Sequence, residues 1–394
     1  MVKWFLPFLL LVLLPIGASA IDIKGKKDKT IVDGVCYSLN AKKETAVVVK
    51  NAEPYSGDIV IPEKIEADSL TYYVEEIAAS AFEKSTGLTS VTIPKGITRI
   101  GLRAFAGCTS LKSITLPKSV EEIPSQLFAD CASLTEVNLP QSIRKMGQNV
   151  FFGCKSLESI TIPNSITALP RSTFEECSNL KTVVLPTGMT SIASDAFKAC
   201  TSLEQISIPT GVKSIGSEAF KGCSSLKSFV FPSSISKVTS SILEGCSSLE
   251  DLHLPNSVSE IGSEAFRSCS ALDSLYLPNS VKKIGSSAFR DCSNLRRVVI
   301  PNGLESIADD LFHGCSNLDF VVFPNSLKEI GSSAFDKCNG LKEVNVQGAA
   351  PPKINSNSFS KTTYREAAVN IKKGSLSNFQ LNKQWAKFLD LIER

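Results

Sequence analysis

The chain has 394 residues, 42 Lys and Arg against 39 Asp and Glu, and 12 Cys. At 43% hydrophobic and 21% charged it is neither disordered nor fibrous, and it can bury a sizeable core. A formal charge of +3 argues against a nucleic-acid partner, and two His leave little room for a histidine-ligated metal or a His-based relay.

At the N-terminus, Lys3, the apolar run Trp4–Leu14 and the small-x-small sequence Ala18-Ser19-Ala20 read as a signal peptide over 1–20. The run is too short to span a bilayer comfortably, and no later stretch reaches the roughly 18 apolar residues of a transmembrane helix. The expected product, cleaved after Ala20, is secreted or held at the cell surface with no transmembrane segment. Residues 21–75 are expected to form an N-terminal capping segment.

From 76 to 347 one unit is copied about twelve times. Cysteines recur every 23 residues from Cys108 to Cys338, and prolines keep the same step from Pro94 to Pro324. A Phe stands three residues before each Cys from Phe105 to Phe335, with Leu243 as the one replacement, and a Leu follows each Cys by three. Ser85 takes the Cys place in an earlier copy, and a last copy around Phe359 is one residue out of phase. A period in the 20s, held without insertion, is a solenoid signature that independent domains would not produce.

Within a unit, the segment Leu111–Pro117 alternates with period two, as a short half-buried strand must. Proline ends the strand because it offers no donor to a parallel neighbour. The second half, with apolar spacing of three to four, predicts a short helical turn. One unit cannot bury these faces alone, so units stack, and twelve strands about 4.8 Å apart extend roughly 58 Å. The expected fold is an α/β solenoid: a right-handed stack with a parallel β-sheet on one face and short helical turns or loops on the other. Gly101, Gly147, Gly216, Gly262, Gly285 and Gly331 recur with the repeat, and turn geometry is their expected role.

The pattern L-x-x-Φ-x-Φ-P-x-x-Φ-x-x-I-G-x-x-A-F-x-x-C, with Φ apolar, resembles the BspA-like class of leucine-rich repeats, and Leu272–Cys292 matches it almost throughout. The flanks agree: Val32–Leu39 and Ser56–Pro62 resemble the family's leading segment, and Ile371–Ile392 its C-terminal capping segment. The resemblance implies a secreted or surface-displayed bacterial protein that binds other proteins, sometimes host matrix components, and it carries over no catalytic residue. Residues 348–394, a degenerate last repeat and cap, hold eight Lys and Arg against three Asp and Glu. Covering the last rung is the expected role of this segment; attachment to an anionic surface is the alternative.

Cysteines one repeat apart lack the short paired spacing of zinc sites. Export favours oxidation, and neighbouring rungs fall within bridging range, so disulfides are the sharper alternative. The favoured reading is free thiols packed beside Phe as small apolar residues. No nucleophile elbow, zinc-protease, calcium-loop or phosphate-loop pattern occurs, so neither an enzyme nor a cofactor is expected. His253 and His313 lack companions, and both are expected at the surface.

Packing fixes the framework, so binding chemistry must lie in the variable strand slots. Early repeats carry small polar residues there. Later ones carry Val230, Asp251, His253, Tyr276, Arg297, Val299, Phe320 and Val322, types that include those enriched at interaction hot spots. Strand propensity alone also accommodates Val and Tyr. The function expected is a non-enzymatic, monomeric adhesion or recognition protein whose ligand is a host extracellular matrix protein or another surface protein. A structural scaffold of the cell envelope without a specific ligand is the alternative.

Overall fold

The computed structural model describes residues 29–394; the expected signal peptide lies outside the described residues. Lys29–Val32, Val35–Asn40 and Thr45–Val48 form an antiparallel meander. Its third strand pairs in parallel with Leu70–Ile77, whose alternation buries Tyr72 and Val74, and a register shift beyond Val74 brings Ile77 into the core as well. Leu70–Ile77 pairs in parallel with Arg99–Ile100, so the N-terminal sheet grows directly into the solenoid.

The chain winds through about 14 turns. Most rungs carry a three-residue strand such as Ser159–Thr161 and a two-residue strand such as Ala168–Leu169. Both stack in parallel at the repeat step, Ser159 opposite Thr182 and Ala168 opposite Ser191. Between them the repeat proline ends the first strand. Its carbonyl accepts from the N–H three residues on, as at Pro163 and Ile166 (3.0 Å), which closes the turn.

The helical turns expected in the second half of each unit are absent from the described rungs. Two residues per rung take left-handed angles instead. One lies two before Phe (Arg103, φ 57°; Asp195, φ 59°), the other just before Cys (Asp130, φ 60°; Gly153, φ 68°). Left-handed residues interleaved with right-handed ones stop a helix from propagating, so the segment stays flat. Its N–H groups then donate to the next rung, Phe105 to Leu127 (3.1 Å) and Phe128 to Val150 (2.9 Å). A non-glycine residue in this conformation costs roughly 1–2 kcal/mol, which the rung-to-rung bonds offset. The apolar spacing of three to four therefore reflects tight turns. Among the described residues helix is about 4%, as Lys361–Glu366, Leu376–Leu381 and a 3-10 turn at Trp385–Lys387 in the cap. The architecture is a leucine-rich-repeat β-solenoid, not the expected α/β stack.

The repeated phenylalanines form one buried column. From Phe82 to Phe220 adjacent rings stack with centroids 5.1–5.8 Å apart. The column resumes from Phe266 to Phe359, so the out-of-phase last copy still joins it. At Leu243 the gap is filled from the strand side. Phe229 meets Phe220 edge-on at 5.0 Å, and Phe231 links Phe229 (4.8 Å) to Phe266 (6.5 Å).

All twelve cysteines are buried and free. Each column thiol donates to the carbonyl of the preceding rung's Phe-slot residue, as Cys131 to Phe105 (3.1 Å) and Cys269 to Leu243 (3.3 Å). Burial pushes the thiols up, to about 12 for Cys108, Cys223 and Cys292. A protonated, buried thiol is a poor nucleophile and a poor ligand. In the Cys slot, Ser85 accepts from the Tyr55 N–H at 3.0 Å.

The recurrent glycines are set by close approach and not by a left-handed turn. A Cβ on Gly216 would stand 2.2 Å from the Ser194 nitrogen of the rung before, and one on Gly147 2.3 Å from the Ser125 nitrogen. Beside the Phe column, charged residues pair between rungs. Lys198 meets Glu218 at 2.8 Å and Glu175 at 3.8 Å, and Lys221 meets Glu244 at 3.0 Å. His313 occupies the same slot and is buried, contrary to the surface position expected for it, and neither of its ring nitrogens has a hydrogen-bond partner. Its Nδ1 stands 3.5 Å from Asp310 and 3.7 Å from Asp336. The slot one residue past Phe is partly covered between neighbouring rungs, which its charged occupants do not advertise.

Candidate protein-binding face

The three-residue strands turn their middle residues into the core and their flanking residues outward, so two outward columns run the length of the stack. Ser228, Phe229 and Val230 lie opposite Asp251, Leu252 and His253, while Arg297, Val298 and Val299 lie opposite Phe320, Val321 and Val322. Ser274 bridges to Arg297, which keeps Tyr276 in the same register. All eight residues singled out in the sequence therefore share one face. Val230, Asp251, His253, Tyr276, Arg297 and Val299 are exposed, whereas Phe320 and Val322 are half-buried.

Tyr276 is 67% exposed, with Val230 and Val299 close behind at 58% and 57%. Two polar contacts preset the face. The Arg297 guanidinium carbon sits 3.9 Å from the centre of the Phe320 ring, holding both side chains against the sheet. Asp251 Oδ1 lies 3.2 Å from His253 Nδ1, two residues apart on one strand. The apolar column also reaches further than the late repeats, because Val184 is 52% exposed in the same slot.

The sheet beneath is not continuous. Ladders break between Glu136–Asn138 and Ser159–Thr161, around Gln205–Ser207, and at Ser274–Tyr276. A three-residue strand offers few ladder bonds per junction, so losing one ends the pairing. Flanking bonds persist, as from Lys227 N to Glu204 O at 3.1 Å. Shallow depressions open along the face; one of about 670 Å³ lies beside Val230 and Ser207. Another, of about 930 Å³, lies over the early rungs at Thr92, Thr115 and Asn138, outside the expected patch. The serine and threonine alternation of Ser90–Thr92 and Ser113–Thr115 is the sequence signal for that hydroxyl-lined surface.

Among the described residues, no group of three His, Cys, Asp or Glu is placed to hold a metal ion. No helix among them is long and apolar enough to cross a membrane.

The repeated strand–turn–Phe–Cys rung is the mark of a leucine-rich-repeat solenoid. A family model described as the BspA type leucine rich repeat region matches residues 75–204, 190–319 and 282–383, and the chain belongs to this family. Solved structures agree with the fold. A leucine rich cell surface protein from Faecalibacterium prausnitzii is 29% identical, with a TM-score of 0.59 over 82% of this chain and 96% of that one. A leucine-rich repeat protein from Bacteroides ovatus is 26% identical, also with a TM-score of 0.59, over 82% of this chain and 98% of that one. The pneumococcal vaccine antigen PcpA, at 18% identity and a TM-score of 0.56 over 93% of this chain and 98% of that one, shares the fold. No curated protein sequence matches the chain.

Proposed function

We propose that the chain is a non-enzymatic, secreted or surface-displayed adhesion protein that binds a protein ligand, such as a host matrix protein, as a monomer. The outward face from Val230 to Val322 is the binding surface. One observation carries the reading: exposed Tyr276, Val230 and Val299 share a face with an Arg297–Phe320 pair already held in place. Aromatic and Arg anchors of this kind lose little side-chain freedom on binding, which favours them at hot spots. The cell-surface neighbour from Faecalibacterium prausnitzii supports the location, and the sequence at Ala18-Ser19-Ala20 supports export. We also propose that residues 29–75 cap the first rung and 348–394 the last, with Phe359, Phe379, Trp385 and Phe388 closing the column.

The purified chain is tested against immobilised host matrix and bacterial envelope proteins. Saturable binding to a matrix or surface protein is expected. Failure to bind any of them would leave the chain as an envelope scaffold without a ligand.

A further inference from the structure

A depression of about 930 Å³ lies on the early part of the same strand face, away from the Val230–Val322 patch, over the rungs Ser90–Lys95, Ser113–Ser119 and Asn138–Pro140. Its wall mixes two chemistries. Hydroxyls and an amide come from Ser90, Thr92, Ser113, Thr115 and Asn138, all on the outward side of their strands. Aliphatic surface comes from half-buried Ile93, Pro117, Leu139 and Pro140 at the strand ends. At the same end stand Lys95 and Lys118, one repeat apart in the same turn position and both exposed.

These two lysines are like-charged neighbours one repeat apart, as Glu250 and Asp273 are further along the stack. Elsewhere, charges in equivalent slots of neighbouring rungs tend to alternate in sign and pair, as Lys181 with Glu158, Lys227 with Glu204 and Lys328 with Glu305. Lys95 and Lys118 carry the same sign at one rung's separation, about 4.8 Å at the backbone, and neither meets a carboxylate among the described residues. The next residues in this column are Gln141 and Asn164, so no countercharge follows. Like charges one rung apart repel, and an anion placed between them would remove that repulsion. The polar groups of the wall are held in place by bonds among themselves and to two carboxylates. The Asn138 amide donates to Thr115 Oγ1 (3.3 Å) and Glu136 (3.0 Å), and Asp58 accepts from Ser90 (2.6 Å) and Thr89 (2.7 Å).

We propose that this depression is a binding site for an acidic glycan built from hexuronate units. Lys95 and Lys118 take the carboxylate, the row of hydroxyls and the Asn138 amide meet the sugar hydroxyls, and Ile93, Pro117, Leu139 and Pro140 pack against the C–H faces of the rings. The mixed wall favours a sugar over an acidic peptide. A pyranose presents hydroxyls at its rim and C–H groups on its faces, whereas a run of Asp or Glu has no use for a hydroxyl row. A protein with separate sites for a glycan and a protein ligand would bridge two components of one matrix.

The test is calorimetric titration of the full chain with trigalacturonate, its methyl ester and oligoglutamate. Saturable binding of trigalacturonate is expected, at least tenfold weaker for the neutral ester and at least tenfold weaker for the Lys95→Gln/Lys118→Gln variant. Tyr276→Ala should leave it unchanged, which separates this site from the protein-binding face. Thr115→Val, which removes a hydroxyl and no charge, should weaken the sugar severalfold. Three results would overturn the proposal: no saturable binding in the millimolar range, equal binding by the lysine variant, or equal binding of oligoglutamate.

Discussion

The Phe–Cys side and the strand face are made from the same 23-residue unit but use it in opposite ways. On the first, nearly every rung repeats: Phe rings stack at 5.1–5.8 Å, and each thiol reaches the preceding rung's Phe-slot carbonyl. On the second, the outward slots run from Thr92 and Thr115 to His253, Tyr276 and Val299 with no shared chemistry. The difference follows from contact. A residue enclosed by two neighbouring rungs answers to both, so one substitution must be met by another, as Phe229 and Phe231 meet Leu243. An outward residue answers only to solvent or to a ligand. Stability and recognition are thereby separated within each rung, and each can be broken without the other.

The largest effect is expected from alkali. The ordinary thiol value is 9.0, and burial raises every column cysteine above it, to about 12 for Cys223 and well beyond 9.0 for Cys154 and Cys200. Above that ordinary value the unfolded chain loses thiol protons that the folded chain keeps. Stability is therefore full below it and falls as pH rises. With eleven thiols the slope approaches about 15 kcal/mol per pH unit once the unfolded thiols are ionised. Circular dichroism should show cooperative unfolding above pH 9.0 and before pH 12. A chain still folded beyond that window would show that the column is not dry.

Next comes the repair at Leu243. Phe229→Ala should cost about 3–5 kcal/mol in denaturant unfolding. Leu243→Phe alone should overpack by about 1–3 kcal/mol. Combined, they should cost less than the sum by about 0.5–3 kcal/mol, because the new ring restores the column where the old one left space. Strict additivity would mean the two sites do not share a cavity.

The glycine contrast is smaller. Gly216→Ala drives a Cβ into backbone and should cost about 1–3 kcal/mol. Gly188, with nothing within 4 Å of its Cβ position, should tolerate Ala within about 0.5 kcal/mol. Equal melting shifts would remove the close-approach account.

The solenoid, its step and its inward residues were legible in the sequence because packing repeats every 23 residues. Placing Val230, Tyr276 and Arg297 on one outward face followed from period-two alternation alone. The flat turn in place of a helix was not legible. Arg103, Asp195 and Glu264 adopt left-handed angles that their side chains do not announce, and only Gly107, Gly153, Gly222, Gly245 and Gly314 in the other left-handed slot hinted at it. The burial of His313 was hidden for a related reason: its slot holds Lys198 and Arg290 in other rungs, whose pairing depends on neighbours one repeat away. The early depression is lined by three rungs together, which no single unit encodes.

The separation of framework from face is tested most directly by Tyr276→Ala/Phe320→Ala, measured by surface plasmon resonance against the captured matrix or surface protein. The expected result is binding weakened about a hundredfold, roughly 2.7 kcal/mol, with thermal and alkaline midpoints unchanged. Full affinity in the double variant, or a loss of affinity matched by a loss of fold, would contradict it.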